Sequence, residues 1–229
     1  MSEAVEKTKA PKEPLFSKKN KKLVTDPLTD NNPITIQVLG ICSALAITVQ
    51  VEQGVVMSLA VLFVLLFGNL VVSLLRNMIP SRIRIIVQLV VVASLVIIVD
   101  QLLAAFLPDV SEKLSVFVGL IITNCIIMGR FEAFAMGNKP WPSIMDALGN
   151  SFGYAWILIL VSFIRELFGS GTIWGMQVLG SPLPGEEWGL YTMGYVNNNM
   201  MILPPMALII VGIIIWVQRS RNKALIEEH

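Results

Sequence analysis

The chain has 229 residues, of which 55% are hydrophobic and only 14% are charged, whereas soluble domains carry about a quarter charged residues. Its mean hydropathy of +0.71 is typical of an integral membrane protein. The formal net charge is only +1, which gives no indication of a nucleic-acid partner. The single histidine is His229, at the last position, and this excludes a His-based catalytic triad or zinc site.

Residues 1–30 form a polar segment that lacks the short apolar core of a signal peptide. Seven lysines recur in this segment: Lys7, Lys9, Lys12, Lys18, Lys19, Lys21 and Lys22. Because such a composition cannot bury enough apolar surface to fold, we expect a disordered, basic cytoplasmic tail. Contact between the lysines and lipid headgroups is the alternative.

Six apolar segments follow the tail and predict six transmembrane helices. They cover residues 34–51, 54–75, 85–107, 114–129, 147–164 and 200–217. A helix needs about 20 residues to cross a bilayer core about 30 Å thick, so segments two and three are long enough, whereas one and four are short. The sequence therefore predicts a transmembrane domain over residues 31–218 and a cytoplasmic C-terminus over residues 219–229.

Polar segments with Pro or Gly separate the spans, among them "NNP" at 31–33, "IPSR" at 79–82 and "GNKPWPS" at 137–143. The longest loop is predicted over residues 168–199. All but two of the 17 lysines and arginines fall in the tail, after spans two and four, or at the C-terminus, and the exceptions are Lys113 and Arg165. Because short loops rich in Lys and Arg stay on the cytoplasmic side, we expect both termini to be cytoplasmic.

The two halves of the membrane domain share a pattern that indicates an internal repeat. "SLLRN" at 73–77 ends span two, "SFIRE" at 162–166 ends span five, and each follows a cysteine. We therefore predict an all-α membrane fold of two 3+3 repeats, residues 31–107 and 114–218. An odd number of spans in each repeat forces the second to be inverted relative to the first. The short spans one and four are then expected to be interrupted and to meet at the bilayer midplane.

The two cysteines of the chain fall in these short spans. Cys42 follows Gly40 in "LGICSALAI", and Cys125 follows Asn124 in "LIITNCIIMGR". Their residue type alone leaves three interpretations open: buried small hydrophobes, a disulfide and metal ligands. Iron–sulfur clusters usually need four thiolates, so a cluster would require two more from a second chain or from a second copy of this one.

Acidic residues in or beside the spans are the other candidates for function. Asp100 lies within span three, whereas Glu132 and Asp146 flank the loop after span four. An ionised carboxylate in hydrocarbon costs several kcal/mol unless it is paired or hydrated. The alternatives are an interfacial or salt-bridged carboxylate, a cation path, and contact with a neighbouring subunit. A small inverted-repeat secondary transporter that uses these acids is one hypothesis for the function.

Five stretches carry a more specific signal: "NNPITIQVLGICSALAIT", "RIRIIVQLVVVASLVIIVDQ", "LSVFVGLIITNCIIMGRFEAFAM", "SFIRELFGSG" and "LPP" before the last span. Together, over residues 31–216, they resemble the D-subunit family of the Na⁺-translocating NADH:quinone reductase. The equivalent subunit of the Rnf electron transport complex, a ferredoxin:NAD oxidoreductase, shares the "TNCI" to "EAFA" block. The "RIIVQ" and "SLVIIVDQ" stretches look more like the quinone reductase, so the Rnf-type complex is the alternative.

The resemblance implies a multi-pass subunit of a respiratory complex in the bacterial inner membrane, without catalysis of its own. It implies that Cys42 and Cys125 supply two ligands of an intramembrane [2Fe-2S] cluster, with two more from the pseudo-symmetric E subunit. It also implies that the cluster passes electrons from the NADH-oxidising subunit to the flavin of the C subunit, coupled to Na⁺ export. NADH, the flavins and ubiquinone are expected in other subunits, among A, B, C and F. We regard Asn124 as a candidate hydrogen-bond donor behind the cysteine ligands.

Overall fold

The structure is a computed structural model, and it describes residues 18–28, 31–80, 82–106, 119–174, 176–177 and 199–221. The described part is mostly helical. Its α-helices are α1 (Lys18–Thr25), α2 (Ile41–Ile47), α3 (Val51–Leu75), α4 (Arg84–Phe106), α5 (Cys125–Arg130), α6 (Pro140–Ser170) and α7 (Pro204–Arg221). Two 3₁₀ turns (Asp26–Leu28 and Asn199–Ile202), one π-helical turn (Phe131–Ala135) and two paired two-residue strands, β1 (Thr172–Ile173) and β2 (Met176–Gln177), complete it.

The antiparallel pair α3 and α6 forms the centre of the molecule. The start of α3 lies beside the end of α6, where the Val51 N–H donates to the Glu166 carboxylate. At the opposite end, the Asn69 amide donates to the Ser143 carbonyl over 3.0 Å. A Cβ at Gly54 would stand 2.6 Å from Ser162 Oγ, which shows how closely the two helices approach. Small residues permit such an approach between apolar helices.

Among the described residues, three helices are long and apolar enough to cross a membrane: α3, α4 and α6. They correspond to predicted spans two, three and five. Helix α7 covers most of predicted span six but is not one of these three. The arrangement of six spans as two inverted 3+3 repeats therefore stays a prediction, although α2–α3 and α5–α6 each place a short helix shortly before a long one.

Helix α6 has 31 residues, so the boundaries predicted for span five, 147–164, were wrong at both ends. The "KPWPS" segment was predicted to be a loop, yet Pro140 begins the helix. Proline is tolerated in the first turn because the N–H groups there have no partner within the helix. At the other end, the helix continues through Arg165 and Glu166, whose charged side chains are buried and hydrogen-bonded. Gly171 ends it with φ 69°.

The predicted interruptions of spans one and four are observed. Residues 31–40 are irregular, Gly40 takes φ 80°, and α2 then runs for only seven residues. In span four, helical residues 119–122 end at Thr123, and α5 begins at Cys125 and leads into the π-helical turn. Their position at the bilayer midplane stays a prediction.

Part of the predicted disordered tail is helical, which corrects its boundary. Helix α1 packs on α6 at Gly149, where an added Cβ would stand 2.5 Å from the Leu23 carbonyl oxygen. Gly153 likewise meets the backbone of Pro27 and accepts a hydrogen bond from the Asn32 amide over 3.0 Å. The lysine run obscured the short apolar stretch that makes this contact. Residues 1–17 lie outside the described residues.

Candidate functional site

Both cysteines stand directly after a helix break, and both thiols are exposed on the surface of the chain. Cys42 is the second residue of α2, and Cys125 is the first residue of α5. Neither thiol is therefore buried by the residues of this chain that the structure describes. Neither thiol forms a disulfide in the structure, so both are available to a ligand or to a partner chain.

The two breaks lie next to each other. A Cβ at Gly40 would stand 3.5 Å from Asn124 Oδ1 and 3.0 Å from Cε2 of Tyr154. Asn124 is the N-cap of α5, and its side-chain oxygen accepts from the Ile126 N–H over 3.4 Å. The backbone segments that present the two cysteines are therefore brought together by residues immediately beside those cysteines.

The Ser43 hydroxyl joins the two breaks. Its Oγ donates to the Gly40 carbonyl over 2.7 Å and lies 2.7 Å from the Tyr154 hydroxyl. The Asn124 amide donates to the same Oγ over 3.4 Å. A serine hydroxyl has one proton and two acceptor lone pairs, so these three contacts use its full capacity, and the Tyr154 hydroxyl is the donor in its bond to Ser43.

The far end of α2 is fixed by Arg165, whose side chain is buried with 1% exposed. Its Nη1 donates to the Leu45 carbonyl and to Thr48 Oγ1. Its other nitrogens donate to carbonyls of the turn before α7, those of Met201, Ile202 and Leu203, over 2.6–3.4 Å. The charge pattern placed this arginine on the side of the membrane opposite the termini. Its burial against the end of the helix that carries Cys42 was not predicted.

The far end of α5 is fixed by an ion pair. Arg130 Nε donates to Asp146 Oδ2 over 3.0 Å, and Nη2 pairs with Oδ1 of the same carboxylate. Asp146 also accepts from the Asn150 amide over 3.1 Å. Arg130 Nη1 lies 3.5 Å from Gln37 Oε1, in the segment that leads to the Gly40 break. This pair therefore connects α5 both to α6 and to the first break.

The structure does not bring the three candidate acids together. Asp146 is occupied by Arg130, whereas Glu132 pairs with Arg84 and accepts from the Gln88 amide over 3.4 Å. Asp100 is half-buried on α4. Within the described ranges, no group of three or more His, Cys, Asp or Glu side chains is placed to hold a metal ion. A role of these acids in an ion path stays a prediction.

The donor set fits half of an iron–sulfur site. Thiolates are the usual ligands of such clusters, and two thiols stand exposed on adjacent breaks. The sequence has only two cysteines, so a four-thiolate site needs two more from another chain. Thiols exposed at the surface are in the position from which a shared site can be completed.

The chain is similar to known membrane proteins over nearly its whole length. Residues 20–215 match the model of a family described as Rnf-Nqr subunit, membrane protein. The D subunit of the Na⁺-translocating NADH-quinone reductase of Photobacterium profundum is 52% identical over 212 residues, which cover 92% of this chain and 97% of that protein. The proteins of the same name from Shewanella sp. (strain W3-18-1) and Shewanella putrefaciens are 50% identical over 211 residues, with the same coverage.

Proposed function

The chain belongs to the Rnf-Nqr family of membrane-protein subunits, and on that premise we propose that it is the D subunit of a Na⁺-translocating NADH-quinone reductase. The relatives described above carry that name and share about half of their residues with it. This similarity favours the quinone reductase over an Rnf-type complex. The chain contributes to catalysis only as part of the assembled complex.

We further propose that Cys42 and Cys125 supply two of the four ligands of an intramembrane [2Fe-2S] cluster. The observation that supports this is the exposure of both thiols on adjacent helix breaks. A cluster that is shared between two chains needs the cysteines that bind it at the surface of each chain. The other two thiolates would come from the E subunit, the pseudo-symmetric partner, and the A, B, C and F subunits would complete the assembly.

The chain's own residues hold and orient the two segments that carry the cysteines. The bound cluster would supply one-electron transfer between the NADH-oxidising subunit and the flavin of the C subunit. Ser43 and Asn124 fix the backbone beside each cysteine, whereas Arg165 and Arg130 fix the far ends of the two short helices. Asn124 remains our candidate for a polar contact behind the ligands. NADH, the flavins and the quinone would be bound by other subunits.

We place the protein in the bacterial inner membrane with both termini on the cytoplasmic side, as the distribution of lysine and arginine indicates. Coupling to Na⁺ export is part of the proposal. Asp100, Glu132 and Asp146 are its candidate ion-path or subunit-contact acids. The ion pairs of Glu132 and Asp146 show how carboxylates are accommodated in or beside these helices.

The test is to prepare the complete complex with Cys42→Ala or Cys125→Ala and to measure iron content, the electron paramagnetic resonance signal and electron flow from NADH to quinone. We expect each substitution to abolish the [2Fe-2S] signal and the electron flow. Thr123→Ala is the matched control, because Thr123 is exposed beside the second break and is not a thiol. If the iron content and the electron flow are unchanged in both cysteine variants, the proposal is contradicted and a secondary transporter is favoured.

A further inference from the structure

Tyr154 is a fully buried tyrosine at the centre of α6, with 0% of its side chain exposed. Its ring lies against the Gly40 turn, where an added Cβ would approach Cε2 to 3.0 Å. Its hydroxyl donates to Ser43 Oγ over 2.7 Å. The ring of Tyr154 therefore contacts Gly40, and its hydroxyl contacts Ser43, on either side of Cys42.

The same side chain also acts on the second break. Ser43 Oγ receives the Asn124 amide as well as the Tyr154 hydroxyl, and Asn124 is the residue before Cys125. Tyr154 therefore contacts, directly or through one hydroxyl, a residue next to each cysteine. It belongs to α6, a helix long enough to span the membrane in the centre of the fold, so it holds both cysteine segments against a rigid element.

We propose that Tyr154 is the positioning residue that sets the separation and orientation of the two cysteine segments, so that both thiols present themselves to one shared cluster. This inference rests on the proposed function. A tyrosine that only filled space would need no hydroxyl at this point. Here the hydroxyl of Tyr154 donates to a serine that is itself buried, so its removal leaves one acceptor position of Ser43 without this donor.

The test is Tyr154→Phe in the complete complex, because phenylalanine keeps the ring against Gly40 and removes only the hydroxyl. We expect the complex to assemble with its iron, the g-values or linewidth of the reduced-cluster resonance to change, and iron to pass to a chelator several-fold faster than in the wild type. The matched control is Ser151→Ala on the same helix. Ser151 is as deeply buried, and its hydroxyl has no hydrogen-bond partner among the described residues.

A resonance and a chelation rate for Tyr154→Phe that equal those of the wild type and Ser151→Ala would overturn the inference. Lower thermal stability with an unchanged resonance would also overturn it, because that is the signature of a purely structural side chain. If Tyr154→Phe does not assemble, Ser43→Ala replaces it, with the same expected change in the resonance. The proposed function fails separately, when Cys42→Ala or Cys125→Ala retains the signal.

Discussion

The Cys42 and Cys125 segments each open a short helix that precedes a long one, yet different chemistry holds them. The first break uses backbone conformation, a glycine at φ 80°, whereas the second uses the side-chain cap of Asn124. The far end of α2 is bound by a buried arginine that donates to neutral oxygens, and that of α5 by an arginine–carboxylate pair. Similar positions for two thiols thus do not require similar supporting residues.

The largest effect is expected at the far end of α2. Arg165→Leu removes the donor to one buried hydroxyl, that of Thr48, and to four part-buried carbonyl oxygens. We expect a loss of about 4 kcal/mol in stability, because the buried hydroxyl costs about 1–3 kcal/mol when it is left unsatisfied. The part-buried carbonyls add less, since water or a neighbouring N–H group, as at Leu203, still reaches them. The measurement is the apparent melting temperature and membrane abundance of the complex. Arg219→Leu, at an exposed position near the end of α7, is the control and is expected to behave like the wild type.

At the far end of α5, Arg130→Met is expected to cost about 3 kcal/mol, because it leaves the buried Asp146 carboxylate without its counter-charge. The double variant Arg130→Met with Asp146→Leu is expected to recover most of that loss, since it removes the uncompensated charge. Thermal unfolding of the single and double variants measures the coupling. A double variant that is less stable than Arg130→Met would show that the pair is not the main interaction at this end.

At the first break, Gly40→Ala is expected to cost about 2 kcal/mol, the penalty of a left-handed backbone for a residue with a Cβ. The added methyl also meets the Tyr154 ring at 3.0 Å. The control is Gly212→Ala in α7, where an added Cβ has nothing within 4 Å and alanine favours the helix. Melting temperatures compare the two, and equal values would contradict the conformational role of Gly40.

The smallest effect is expected at the second break. Asn124→Ala removes a helix cap and is expected to cost about 1 kcal/mol. Asn124→Ser keeps a capping oxygen for the Ile126 N–H but loses the amide that reaches Ser43. Stability measurements on both variants separate the cap from the bridge between the breaks. Equal losses in the two would mean that the cap contributes little.

The sequence predicted the long helices because apolar segments that face lipid leave few alternatives to a helix. It also predicted the two interruptions, since Gly40 and Asn124 favour breaks and caps. The start of α6 was missed because "KPWPS" resembles a loop, and α1 was missed because a short apolar stretch follows a run of lysines.

The cysteines were identified from their placement in the two short spans, but their supports were not. The charge pattern placed Arg165 and Arg130 only on a side of the membrane, whereas the structure places both against buried partners, Thr48 and Asp146. Nothing in the residues around Tyr154 indicates a special role, because in the sequence it is simply a tyrosine inside an apolar span. Its hydrogen bond to Ser43 joins residues that are 111 positions apart, a separation that no local pattern reveals.

The contact of α6 with α1 and with the segment that follows α1 has a consequence for the order of assembly. Asn32 binds the Gly153 carbonyl, 121 residues further along the chain. The N-terminal helix leaves the ribosome long before its docking surface exists, so it must wait while the intervening segments are inserted. Closure of this contact therefore comes late in biogenesis, and a protease site placed at α1 would report on the completion of insertion.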